Sequence, residues 1–184
     1  YSPTGYLSTI TLPGNPTGIA ISANGEYLYA ADETGPLQLH QIRTSDNAVN
    51  RSVNLPAYSY GYIAISADSS RIFVAHMLLD QVSIFRTLDL SLEATLTLPS
   101  PRGLDFPPDS TKAYVAVKDG VAVVQLVNNT LLDIITLPGL PTLVRLSPDG
   151  QFAYVLASGL VHVIRTADDM LINTIDLGLI SASS

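Results

Sequence analysis

Cysteine and tryptophan are both absent from these 184 residues. Without cysteine there can be no disulfide and no thiolate metal centre, and a chain free of thiols suits an oxidising environment. Basic charge is almost as scarce. Lys112 and Lys118 are the only lysines, the arginines are scattered, and the net charge is −7. That balance excludes nucleic acid, which requires a basic stripe, and a polybasic membrane contact. Membrane insertion is not expected either: no stretch approaches the roughly 20 unbroken apolar residues that a spanning helix needs. Yet apolar residues make up 47% of the chain and charged ones only 14%, a ratio expected of sheets buried on both faces.

Catalytic signatures are missing too. The three histidines, His40, His76 and His162, have neither metal-ligand spacing nor flanking carboxylates, so no metal site is expected. No nucleophile elbow, P-loop, EF-hand loop or dinucleotide fingerprint occurs. We therefore expect no catalytic residue and no cofactor. The chain begins Tyr1-Ser2-Pro3-Thr4 without a methionine or an apolar leader, as a processed or excised piece would.

What is present is repetition. Leu-Pro recurs as Leu12-Pro13, Leu55-Pro56, Leu98-Pro99 and Leu137-Pro138, with Leu177-Gly178 in the next register, at spacings of 43, 43, 39 and 40 residues. After each Leu-Pro comes a turn signal: Ser22-Ala23-Asn24-Gly25, Ser66-Ala67-Asp68-Ser69, Pro107-Pro108-Asp109-Ser110 and Ser147-Pro148-Asp149-Gly150. Next stand Tyr29-Ala30-Ala31, Phe73-Val74-Ala75, Tyr114-Val115-Ala116 and Tyr154-Val155-Leu156. A fourth marker, Arg-Thr-x-Asp, spans 43–46, 86–89 and 165–168 and is missing from the third repeat. Each repeat reads as four short strands, in the first case 18–22, 27–32, 37–42 and 49–55, separated by Gly, Pro, Asn, Asp and Ser.

Four strands in about 40–45 residues, repeated, is the pattern of a β-propeller. The run Leu-Pro, Gly18-Ile-Ala-Ile-Ser-Ala-Asn-Gly25, Tyr27-Leu-Tyr-Ala-Ala-Asp32 resembles the YVTN-type blade shared by lactonase-like propellers and surface-layer proteins. The lack of tryptophan argues against WD repeats. The expected fold is all-β: four consecutive four-stranded antiparallel blades (13–55, 56–98, 99–137, 138–177), a surplus outer strand at 6–12 and a tail at 178–184. The outer strand thus occurs five times and the other three occur four times. A closed four-blade ring would need equal numbers, so we expect part of a larger ring or one completed by further copies.

The resemblance implies a non-catalytic scaffold or binding module outside the cell or on its surface, with a lactonase-like hydrolase as the alternative. A protein or glycan partner, or further blades of the same kind, would be bound. Loops between blades and after second strands should converge on one face, bringing together Tyr58, Tyr60, His76, Arg102 and Lys118 as an amphipathic, cationic-edged patch. Asp105 and Arg145 occupy equivalent positions in adjacent innermost strands and are expected to pair. Asn50-Arg51-Ser52 and Asn128-Asn129-Thr130 are glycosylation sequons at Asn50 and Asn128.

Overall fold

A computed structural model describes residues 9–56 and 62–178. Their β-branched and aromatic segments form four antiparallel meanders of four strands. The first contains β1 (Asn15–Ile21), β2 (Tyr27–Thr34), β3 (Gln38–Arg43) and β4 (Ala48–Asn54). The second contains β5 (Ile63–Ile65), β6 (Arg71–His76), β7 (Gln81–Arg86) and β8 (Leu92–Thr97). β9 (Leu104–Asp105), β10 (Lys112–Val117), β11 (Gly120–Gln125) and β12 (Thr130–Thr136) make the third. β13 (Pro141–Leu146), β14 (Phe152–Ala157), β15 (Leu160–Arg165) and β16 (Met170–Asp176) make the fourth. One 3₁₀ turn, Met77–Leu79, is the only helical element among the described residues. Of the surplus strand expected at 6–12, residues 6–8 lie outside the described residues and 9–12 belong to no strand.

The recurring turn signal is a hydrogen-bonding device. In the first blade the Ser22 hydroxyl donates to Asn24 Oδ1 at 2.7 Å and accepts the Tyr27 N–H at 3.0 Å. Ser147 does the same with Asp149 and Phe152, at 2.6 and 3.0 Å. The hydroxyl thus closes the hairpin between the first two strands by satisfying donors that the turn would leave bare. The fourth turn position is left-handed in every blade: Gly25 φ 71°, Ser69 φ 56°, Ser110 φ 50°, Gly150 φ 71°. Serine bears the steric cost of that conformation at two of them. Its hydroxyl offsets it by linking turns across blades, since Ser69 Oγ accepts the Ala23 N–H at 2.8 Å and Ser110 Oγ the Asp68 N–H at 3.2 Å. The Arg-Thr-x-Asp marker performs a similar task between the third and fourth strands. Arg43 pairs with Asp46 at 2.7 Å and Arg165 with Asp168 at 2.6 Å, while the Thr44 and Thr166 hydroxyls donate to the Gly25 and Gly150 carbonyls.

Every outer strand carries a bulge at the same place. The register slips between Gln41 and Ile42, Ile84 and Phe85, Val123 and Val124, and Val163 and Ile164. The extra residues are Asn50, Glu93, Leu132 and Ile172. A bulge of this kind sharpens the twist of the strand that carries it.

Strand parity sends alternate side chains to opposite neighbours. From β6, Ile72 and Val74 join Tyr29, Ala31 and Leu39 of the first blade. Phe73 and Ala75 instead meet Leu104, Phe106, Ala113 and Val115 of the third, with the Phe73 and Phe106 rings edge-on at 4.9 Å. Tyr114, Ala116, Val121 and Val123 then meet Val144, Ala153, Val155 and Ile164 of the fourth. Blades buried on both faces explain the near-continuous apolar runs such as Tyr114 to Val117. Four blades in order make three apolar junctions, and among the described residues no cluster joins the fourth to the first. The chain is therefore an incompletely closed propeller.

Candidate functional site

Two of the residues singled out from the sequence lie at the ends of the blades that carry the interblade connections. Arg102 and Lys118 come together at one end of the third blade. The Arg102 N–H donates to the Ala116 carbonyl at 2.8 Å, and the Lys118 N–H donates to the Pro99 carbonyl at 2.9 Å. Those two bonds lay the connection containing Arg102 alongside the β10–β11 turn containing Lys118. Lys118 is exposed and Arg102 half-buried, its Nε shielded from solvent without a hydrogen-bond partner among the described residues. Two cationic side chains at one end of a blade are suited to an anionic or carbonyl-bearing group.

His76 does not join them at the surface. It is the last residue of β6, a strand covered on both faces, and shares the parity of Ile72 and Val74. It is fully buried, with Nε2 3.0 Å from Ser83 Oγ. The expectation of a rim histidine is corrected accordingly. Tyr58 and Tyr60 lie outside the described residues.

Asp105 and Arg145 do bring neighbouring innermost strands together, though each bonds to backbone. Asp105 accepts the Leu146 N–H at 2.9 Å through Oδ2 and the Phe106 N–H at 2.9 Å through Oδ1. Arg145 donates to the Val144 carbonyl at 2.9 Å and the Leu104 carbonyl at 3.4 Å. No side-chain ion pair between the two exists among the described residues: Asp105 is engaged by main-chain N–H groups, and Arg145 by main-chain carbonyls, the nearer of them on its own strand. The pair expected from alignment is thus replaced by two side-chain-to-backbone ties.

A network inside the blades had no counterpart in the motifs read from the sequence. His40 is buried in β3, with Nε2 3.0 Å from Asp32 Oδ2 and Nδ1 2.7 Å from Ser52 Oγ. The equivalent residue of the fourth blade, His162, has Nδ1 2.8 Å from Thr174 Oγ1 and Nε2 3.0 Å from the Pro138 carbonyl. A carbonyl only accepts, so Nε2 of His162 carries the proton and the Thr174 hydroxyl donates to Nδ1. Ala157 stands where the first blade has Asp32, which is why His162 turns to backbone. Gly14 makes room for the Asp32 carboxylate, which a Cβ there would overlap. The spacing of His40, Ser52, His162 and Thr174 within their repeats was the available signal, and it becomes meaningful only once the strands are in register.

A second unexpected tie crosses the junction between the third and fourth blades. Asp169, in the β15–β16 turn with φ 57°, accepts a hydrogen bond from the Tyr114 hydroxyl and an ion pair from Lys112 Nζ at 2.6 Å. Burial, then the bond to Asp169, pushes the Tyr114 phenol well above its usual range. The adjacent Asp168 is held below the usual carboxylate range, chiefly by Arg165. The two neighbouring acids therefore serve different blades.

Of the sequons, Asn50 is an exposed bulge residue whose amide donates to Gln41 Oε1 at 2.7 Å, and Ser52 is engaged by His40. Asn128 is exposed in the β11–β12 turn, where it accepts the Thr130 hydroxyl at 2.8 Å. Among the described residues no cluster of three metal-ligating side chains occurs, and no helix is long and apolar enough to cross a membrane.

No family model and no curated protein matches the chain in sequence. Solved structures match it closely in shape. Hydrazine synthase of Kuenenia stuttgartiensis superposes with a TM-score of 0.80 at 21% identity, over 95% of this chain and 52% of that one. The β-propeller domain of Cps50 (Swd1) from Myceliophteria thermophila gives 0.79 at 12%, over 94% and 58%. A functionally unknown protein from Desulfotomaculum acetoxidans gives 0.73 at 19%, over 86% and 55%. The chain thus spans a little over half the length of each structure, and at these identities the likeness shows the fold alone.

Proposed function

We propose that this chain is a non-catalytic, extracellular scaffold and binding module of the YVTN-type propeller kind. It would take a protein or glycan with an acidic group on the rim built by Arg102 and Lys118. One observation carries this reading: all three histidines are buried within blades and hydrogen-bonded to strand neighbours, so none faces the rim. The acidic motifs that recur are likewise engaged in turns and junctions. What the rim offers among the described residues is cationic recognition by Arg102 and Lys118, with the exposed Asp119 carboxylate next in the chain and no histidine beside it.

A hydrolase is the second reading, and Asp32, His40 and Ser52 favour it. Their order of hydrogen bonds is that of a Ser–His–Asp triad. Against it, the fourth blade repeats the His–hydroxyl pair with His162 and Thr174 and has no acid there. Repetition of that kind marks a strand-to-strand tie.

The test scans the purified chain against a glycan array and against a panel of lactone and ester substrates. Binding of acidic glycans, lost in the R102E/K118E variant, is expected, together with no turnover above background. Saturable hydrolysis abolished by Ser52→Ala, with the fold intact, would overturn the scaffold reading in favour of the hydrolase.

A further inference from the structure

The first blade carries a buried amide where the other three carry aliphatic side chains. Gln41 of β3 is 3% exposed, and the register places Ile84, Val123 and Val163 at its position in the other blades. Its Nε2 donates to the Thr87 carbonyl of the second blade at 2.8 Å and to the Tyr29 hydroxyl at 3.1 Å. Its Oε1 accepts the Asn50 amide at 2.7 Å. A carbonyl only accepts, so the Thr87 contact fixes which end of the Gln41 amide carries the hydrogens. Both hydrogens are then engaged, one of them by the Tyr29 oxygen.

Tyr29 is left with a proton to donate. The side chain is 1% exposed, and its hydroxyl finds no acceptor among the described residues. The third blade has the complete arrangement, since Tyr114 at the same position donates to Asp169 of the next blade. In the second blade Leu90 takes the place of Asp169 with the same φ of 57°, and it packs against Tyr29 without accepting anything. A buried donor without an acceptor is costly, and a ligand oxygen beside it would remove that cost.

There is room for one. A cavity of about 410 Å³ lies between the first two blades, walled in part by Glu26, Tyr27, Tyr29, Asn50, Arg51 and Leu88, a volume suited to a small ligand. It sits at the β1–β2 hairpin end of the blades, opposite the end that holds Arg102 and Lys118. Arg51 makes no ion pair or hydrogen bond with a described residue, and Glu26 is held by Asn24 through Oε2 at 2.9 Å, leaving Oε1 open. An occupant must therefore accept from Tyr29 and Arg51 and donate to Glu26. A simple anion cannot donate and would meet the Glu26 charge. Adjacent hydroxyls of a sugar ring do both, and its C–H face suits the Tyr27 ring and Leu88, which is 83% exposed.

We propose that this cavity binds a neutral hexose unit. The Tyr29 hydroxyl donates to one sugar oxygen, Gln41 positions that hydroxyl, and Arg51 and Glu26 engage neighbouring sugar hydroxyls. The site is separate from the rim of Arg102 and Lys118 and does not depend on what that rim takes.

Amide NMR titration tests this on the chain made in a bacterial cytosol, so that Asn50 carries no glycan. The probes are glucose, galactose, mannose and N-acetylglucosamine, each taken to about 50 mM, far enough to reveal a Kd of about 1–10 mM. Saturable shifts confined to the first two blades are expected with at least one of them. Tyr29→Phe and Gln41→Val install what Phe73 and Val123 supply at the same positions, so both variants should fold. Each should weaken the binding at least about tenfold, as should Arg51→Gln at its exposed position. No saturation by any of the four sugars, or undiminished binding in the folded variants, would overturn the proposal. So would sodium acetate binding as tightly as the best hexose, which would make the cavity an anion site. The R102E/K118E variant should still take the hexose, so failure of the cavity and failure of the rim are read separately.

Discussion

Removing one oxygen at the third junction should separate hydrogen bonding from packing in this fold. Tyr114→Phe keeps the ring in the apolar cluster and deletes only the hydroxyl that donates to Asp169. A hydrogen bond to a charged acceptor contributes about 1.5–3 kcal/mol. Asp169 retains Lys112 at 2.6 Å, which softens the loss, so we expect a cost of about 1–2 kcal/mol. For a chain of this size that corresponds to a fall of roughly 3–6 °C in Tm. Urea unfolding at pH 7 reads it directly. Alkaline pH supplies the second arm. The Tyr114 phenol is raised above its unfolded value, so the folded chain keeps a proton that the unfolded chain releases near pH 10. Stability due to this group is therefore complete below about pH 10 and is lost as pH rises beyond it, at most about 1.4 kcal/mol per unit. The gap between wild type and Tyr114→Phe should shrink over that range. A gap below about 0.3 kcal/mol at pH 7, or one constant from pH 8 to 11.5, would refute the reasoning.

Other perturbations follow from the same geometry. Gly120→Ala would drive a Cβ into the Ile135 carbonyl oxygen, so we expect a loss of about 1–3 kcal/mol in chemical unfolding, with β11 and β12 forced apart. Asp105→Ala and Arg145→Ala should be additive in a double-mutant cycle to within about 0.5 kcal/mol, because each side chain bonds to backbone and not to the other. Coupling well beyond that would restore the direct ion pair. The Ser147 hydroxyl, then the Gln151 N–H, hold Asp149 below the usual carboxylate range; its contribution should be present above about pH 4 and lost as pH falls further. Asp149→Asn should remove that part of the acid transition, as followed by fluorescence. Expressed through a secretory pathway, the chain should carry glycans at exposed Asn50 and Asn128, each removed by the corresponding Gln variant and visible by mass spectrometry.

How far the sequence could be read depended on whether a feature is local. The blades were legible because turn chemistry and strand parity are written in neighbouring residues. Ser22 to Gly25 and Ser147 to Gly150 announce hairpins, and the first strands were placed within two residues at most ends. His76 was misplaced because β6 is covered by a neighbouring blade on each face, so its last residue is buried whichever way it points. The Asp105–Arg145 expectation failed for a different reason. Alignment compares side chains, whereas the nearest partner of Asp105 is the Leu146 N–H, a backbone group with no mark in the sequence. Asp169 belongs to none of the recurring motifs, and its reach to Tyr114 depends on how two blades are stacked. The bulge that exposes Asn50 was likewise invisible until all four outer strands could be compared.

The central claim is that each blade is stabilised by the neighbours packed against its faces. Amide hydrogen exchange, resolved by peptide, tests it most directly when wild type is compared with Phe73→Ala. In the wild type, β6, β7, β10 and β11, which are covered on both faces, should be the most strongly protected. In Phe73→Ala, protection should fall in the second and third blades, which share the cluster that Phe73 fills, while the fourth stays close to wild type. Equal loss of protection in all four blades, or none in the second and third, would contradict the claim.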